Sequence, residues 1–129
     1  AGGVPPWDFT DAIDVGDTTK ALTLLGRMMH AGGRHPLVIM SILHGHYAAL
    51  ARLDGVDARS EQDAMAATGI KSPYPAKKAL ANYRRLGSAG ARRAVELLAQ
   101  ADLDLRGARD LEPELVMEVL VARLSKLRR

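Results

Sequence analysis

The sequence predicts an all-α domain, a compact bundle of about seven helices. Three observations predict it. Glycines at Gly16, Gly32-Gly33, Gly55, Gly69, Gly87 and Gly107 each close an apolar-periodic stretch, where a residue with positive φ ends a helix at little cost. A start signal follows each stretch: a residue of N-cap type, or a proline at the first helical position, where its missing N–H costs nothing. No run of alternating apolar and polar residues sits beside a hairpin turn, so strand signals are almost absent.

The elements follow in order. Residues 6–14 hold Phe9, Ala12 and Ile13 before Gly16. Asp17 is placed to cap a helix over 18–31 that carries Ala21, Leu22, Leu24, Leu25, Met28 and Met29. His35-Pro36 opens a helix over 36–53. After the one loop of generous length, Gly55–Arg59, Ser60 and Asp63 resemble a capping box that starts a short helix over 61–67. Ser72-Pro73 opens 73–86, Ser88 opens 89–106, and Glu112-Pro113 opens 113–127. Two of these helices are apolar around most of their circumference: 36–53 through Leu37-Val38-Ile39-Met40 and Ile42-Leu43, and 113–127 through Leu115-Val116-Met117 and Val119-Leu120-Val121. Such helices need cover on more than one side, from a central position in the bundle, from a partner subunit, or from both.

A chain of 129 residues fits a single domain spanning 1–129, and a domain of this size buries roughly two-thirds of the surface its unfolded chain exposes. The sequence has no cysteine, which excludes disulfides and thiolate metal sites and suits a reducing, cytoplasmic compartment. No apolar run approaches the ~20 residues that span a membrane, and no signal-peptide pattern opens the chain. Ala1 stands where an initiator methionine would, so the chain is expected to be a fragment of a longer one.

Eighteen basic against 15 acidic residues give a net charge of +3, which permits nucleic acid without announcing it. The distribution says more. Residues 1–17 carry Asp8, Asp11, Asp14 and Asp17 with no basic residue, and residues 71–85 carry Lys71, Lys77, Lys78, Arg84 and Arg85 with no acid. An acidic opening and a basic middle suit docking between subunits; two ordinary solvated faces are the simpler explanation. Lys77, Lys78, Arg84 and Arg85 are the candidate contacts for a polyanion or a partner.

Catalytic and cofactor patterns are missing. No glycine-rich loop is followed by Lys-Ser/Thr, so nothing cradles a nucleotide's phosphates. His44 and His46 lie two apart and diverge by about 200° on a helix, so they cannot chelate one metal together. Ser41, His44 and Asp54 fall on or at the end of one helix with no oxyanion hole, which is not a triad. Asp102 and Asp104 also diverge, as solvent-facing residues or partners for Arg106 rather than an acid/base pair. The rival binding module is a helix-turn-helix: a short helix, Gly69, then the basic helix 73–86 with Tyr74 and Tyr83. Met65 stands where such motifs place a small residue, and Pro73 and Pro75 occupy the start of the would-be recognition helix, where base-contacting side chains project.

Several stretches resemble one family in order and spacing: Trp7-Asp8-Phe9-Thr10-Asp11-Ala12-Ile13 with Gly16-Asp17-Thr18, Ala21-Leu22 and Leu24-Leu25; His35-Pro36-Leu37; Ala66 with Thr68-Gly69-Ile70; Pro75-Ala76-Lys77-Lys78-Ala79-Leu80; Leu97-Leu98-Ala99 with Ala101-Asp102-Leu103-Asp104-Leu105-Arg106-Gly107; and Pro113-Glu114-Leu115 with Glu118. From about Val4 to Leu127 the chain is similar to the C-terminal domain of the delta subunit of bacterial DNA polymerase III. Family members often carry Lys where this chain has Arg106 and Asp where it has Glu112, and Glu caps a helix less well than Asp. The resemblance implies a role in DNA replication, with AAA+-like N-terminal domains preceding this one. It implies that this domain packs with the C-terminal domains of the gamma/tau and delta-prime type subunits into the collar of the clamp loader. Contact with the sliding clamp belongs to the N-terminal domain, ATP hydrolysis to neighbouring subunits, and DNA contact here is at most weak. No catalytic, metal or cofactor residue is expected in this domain.

The absent phosphate loop and the diverging histidines generate a first test. Titration calorimetry of the chain with MgATP and with zinc should be flat, and a saturable micromolar heat from either ligand would overturn the assignment.

Overall fold

A computed structural model describes residues 3–128; Ala1 lies outside the described residues. Among these residues there are six helices and no strand: α1 (Pro6–Asp14), α2 (Thr18–Met29), α3 (Pro36–Leu53), α4 (Glu61–Thr68), α5 (Pro73–Leu105) and α6 (Pro113–Ser125). The expected helices 73–86 and 89–106 are the two segments of α5, which meet at a kink at Gly87 with φ 69° and ψ 179°. That region of backbone space is essentially closed to residues with a Cβ. The sequence therefore places the break correctly; counting α5 as one element gives six helices, and counting its two segments gives seven.

Local signals do what the sequence suggests. Asp17 accepts from the Lys20 N–H at 3.1 Å, His35 Nδ1 from the Leu37 N–H at 3.1 Å, and Ser60 Oγ from the Asp63 N–H at 3.1 Å. The Asp63 carboxylate reaches back one residue further than in a standard capping box, to the Arg59 N–H at 2.9 Å. Glu112 precedes α6 without a side-chain cap. The long loop is pinned: Ala58 is buried and its carbonyl accepts from Arg84 at 3.1 Å.

α3 takes the central position, packing on α1, α4, α5 and α6, while α2 packs on α1 and α6. Its inward stripe is Ile39, Met40, Leu43, Tyr47, Leu50 and Leu53, the three-and-four spacing of a helix face. Burial pushes the Tyr47 hydroxyl well above its ordinary pKa, with the nearby Asp14 charge adding to the effect. α6 contributes Val116, Met117, Leu120, Val121 and Leu124 to the same core. Both helices keep apolar residues on the outside: Leu37 and Val38 on α3 are 52% and 51% exposed, and Leu115 and Val119 on α6 are 47% and 40% exposed. The central position thus accounts for most of the excess apolar circumference and leaves those four side chains over. No described helix is long and apolar enough to cross a membrane.

Two glycines inside helices should respond oppositely to a methyl group. Gly87→Ala forces a side chain into its closed backbone region and should destabilise by about 1–3 kcal/mol. Gly45→Ala, on α3 with open space around the added Cβ, should stabilise by roughly 0.8–1 kcal/mol through helix propensity. Chemical denaturation of both variants checks the pair; equal, small changes would remove the break from the account of the fold.

Candidate interaction surfaces

The acidic opening and the basic middle meet inside the molecule. Lys78 on α5 forms an ion pair with Asp11 on α1, and Asn82 donates to Asp14 at 2.5 Å. These rungs connect residues 67 and 68 apart and run in the same order on both helices, so α1 lies parallel to the first half of α5. Trp7 and Tyr74 line the same groove. Lys78 also sits over the Tyr74 ring, 5.5 Å from its centroid, close enough for a cation–π attraction.

Asp14 is the deepest member of the set. Its side chain is 6% exposed, and it also receives His46 Nε2 of α3 at 2.8 Å. Three helices thus share one carboxylate. His44 meets Asp102 at 2.7 Å, joining α3 to α5, and His30 lies 3.6 Å from Glu114, joining α2 to α6. These three histidines are helix-to-helix links, while His35 caps its own helix, and among the described residues no three His, Cys, Asp or Glu side chains gather as a metal site would require.

The four candidate basic residues separate into different environments. Lys77 is exposed. Lys78 is held by Asp11, and Arg84 donates to the Ala58 carbonyl. Arg85 is half-buried with its Nε lacking a hydrogen-bond partner; burial lowers its pKa, while Asp14 works in the opposite direction. The basic face of α5 is therefore largely turned onto α1 and the 54–60 loop rather than gathered outward. That geometry removes the motive for a helix-turn-helix reading, since a recognition helix needs such side chains free for phosphates and base edges.

A second groove runs between α5 and α6, about 220 Å³ in volume, with Leu97, Leu111, Leu115 and Val119 among its apolar lining. At its edge Asp104 is buried and bound by Arg109 at 2.6 and 2.9 Å, with Gln100 at 3.1 Å. The expectation that Asp104 faces solvent or pairs with Arg106 is overturned. The stripe Ala94, Leu97, Leu98, Ala101 carries position 104 onto the buried face of α5, and Gly107 (φ 92°) turns the chain so that Arg109 folds back.

The model of the family described as DNA polymerase III delta subunit, C-terminal domain, matches residues 7–124 of this chain. The chain belongs to that family. Comparison with curated proteins and with solved structures returns no match. The match takes in the parallel rungs of α1 and α5, the Gly87 break and the α5–α6 groove, so both grooves are parts of a delta C-terminal domain and not appendages to it. It also fixes the biological setting as DNA replication.

The Asp104–Arg109 contact sets a pH dependence. Hydrogen bonding to Arg109 holds the Asp104 carboxyl below the usual carboxylate range. A depressed folded-state pKa stabilises above the unfolded carboxylate value and loses that contribution as pH falls through the folded value. Arg109→Ala should therefore raise the Asp104 pKa, read by NMR titration, and move acid unfolding to higher pH. An unmoved carboxyl resonance would show the contact to be absent in solution.

Proposed function

We propose that this chain is the non-catalytic assembly domain of a clamp-loader delta subunit in the cytoplasm. It holds delta in the complex that loads the sliding clamp onto DNA by packing against the C-terminal domains of gamma/tau and delta-prime type subunits in a collar. The observation that carries the reading is the family match over residues 7–124. The outward apolar residues supply the surface. Leu111, Leu115 and Val119 border the α5–α6 groove, and covering them contributes about 25 cal/mol per Å² of apolar surface removed from water. Of Lys77, Lys78, Arg84 and Arg85, the exposed Lys77 and Arg84 serve as a partner-contact edge in this reading. Contact with the clamp itself belongs to domains N-terminal to this one.

Association entropy and side-chain ordering consume much of the gain from a single contact, so one collar interface is micromolar and the ring relies on several acting together. Sedimentation of this chain mixed with the C-terminal domain of the ATP-hydrolysing subunit should show a complex at roughly tens of micromolar. Val119→Glu, at an exposed position, should weaken it at least about ten-fold without loss of helicity, as expected for a charge placed in an apolar contact. No complex at that concentration, with both domains folded, would confine the α5–α6 surface to the chain's own packing.

A further inference from the structure

The groove between α1, α3 and the first half of α5 is larger than the α5–α6 groove, at about 570 Å³, within the range of binding clefts. Its construction is not that of a packing defect. The two walls carry opposite charge: α1 presents Asp11 and α5 presents Lys78, paired with each other across the groove. The floor is α3, with Gly45 and Ala49 one helical turn apart. A Cβ built on Gly45 meets nothing within 4 Å, so packing within the chain gives no reason for a glycine there, and a glycine inside a helix is unfavourable on its own. Small residues on a helix let another backbone come close. At the mouth stand the chain's single tryptophan and a tyrosine, Trp7 63% and Tyr74 69% exposed; large aromatic rings of this kind anchor protein interfaces.

We propose that this groove seats an amphipathic helix of a partner protein, basic along the edge that faces α1 and acidic along the edge that faces α5. The apolar stripe of that helix lies over Gly45 and Ala49 between Trp7 and Tyr74, the helix-in-groove mode of recognition. Its edge charges replace the Asp11–Lys78 pair with two pairs across the interface. That exchange costs little, because the existing pair is partly exposed, at 33% and 42%, and exposed pairs contribute little stability. The other cation in the lining, Arg52, is occupied by the Thr68 carbonyl at 3.0 Å. Single-stranded nucleic acid, which also stacks on aromatic rings, fits less well, since Asp11 would face its phosphates. This site lies on α1, α3 and α5, apart from the α5–α6 surface, and does not depend on the collar reading.

Trp7 makes the groove its own reporter. A displayed library of helical peptides, with a fixed Leu/Ala stripe and Lys, Glu or Gln at the edge positions, is selected on the chain and counter-selected on Gly45→Leu. That variant fills the floor from a position open to solvent. The expected winners carry Lys on one edge and Glu on the other, and the best of them changes Trp7 fluorescence saturably. The double variant Asp11→Lys, Lys78→Glu, which exchanges the charges of the two walls and keeps their pair, should weaken that peptide at least about five-fold, the order expected for paired edge charges. The peptide with its edges exchanged should recover the loss. Three results would overturn the proposal: no enrichment over Gly45→Leu, edges selected without charge preference, or a dT oligonucleotide that shifts Trp7 at lower concentration than any selected peptide. If Gly45→Leu does not fold, Tyr74→Ala takes its place in the counter-selection, with the same outcomes.

Discussion

Much of this fold hangs on the carboxylate of Asp14. An ionised carboxylate taken out of water is costly unless it is paired and hydrogen-bonded. This one is satisfied from two directions, by His46 on α3 and Asn82 on α5, with the charge of Arg85 nearby. The three helices that meet there are distant in sequence, and an apolar core would hold them in many registers of similar energy. A buried polar group with directional partners accepts few. It therefore fixes how α1 lies relative to α5, and with it the groove that Trp7 and Tyr74 line. The α1–α5 contact is built from polar bridges, while the apolar mass of the molecule gathers around α3.

The same arrangement explains where the charge of the chain goes. Four aspartates near the start and a cluster of lysines and arginines in the middle look like surfaces waiting for partners. In the fold one pair, Asp11 with Lys78, joins the two segments directly, and Asp14 meets the same stretch of α5 through Asn82 and the field of Arg85. Segregation of charge along a sequence is ambiguous between docking to another molecule and docking of one segment on another. Only the tertiary contact separates the two.

Helix positions were legible because they are local. Capping side chains, prolines at first positions and glycines at positive φ act within a few residues, and Gly16, Gly33, Gly55, Gly69, Gly87 and Gly107 all have positive φ. The family was legible because those local signals recur in a particular order. What escaped were pairings across the fold. His46 reads as a solvated histidine until α1 is laid beside α3. Asp104 reads as a surface acid unless the stripe of Ala94, Leu97, Leu98 and Ala101 is followed one turn further, and its partner Arg109 lies beyond the helix in a loop whose path no periodicity predicts. Gly87, by contrast, was legible as a break because a φ above zero normally ends a helix, and two helical segments do meet there.

The kink at Gly87 has a mechanical consequence. As a straight rod, the 33 residues of α5 would reach about 50 Å, well past the roughly 30 Å span of a small domain. Bent at one buried residue, the rod serves as two beams: the first carries one wall of the α1–α3–α5 groove, and the second carries one wall of the α5–α6 groove. The two surfaces sit on either side of Gly87, and the packing of α3, α4 and α6 on α5 braces the bend. The angle between two contact faces is thus set at a residue that belongs to neither.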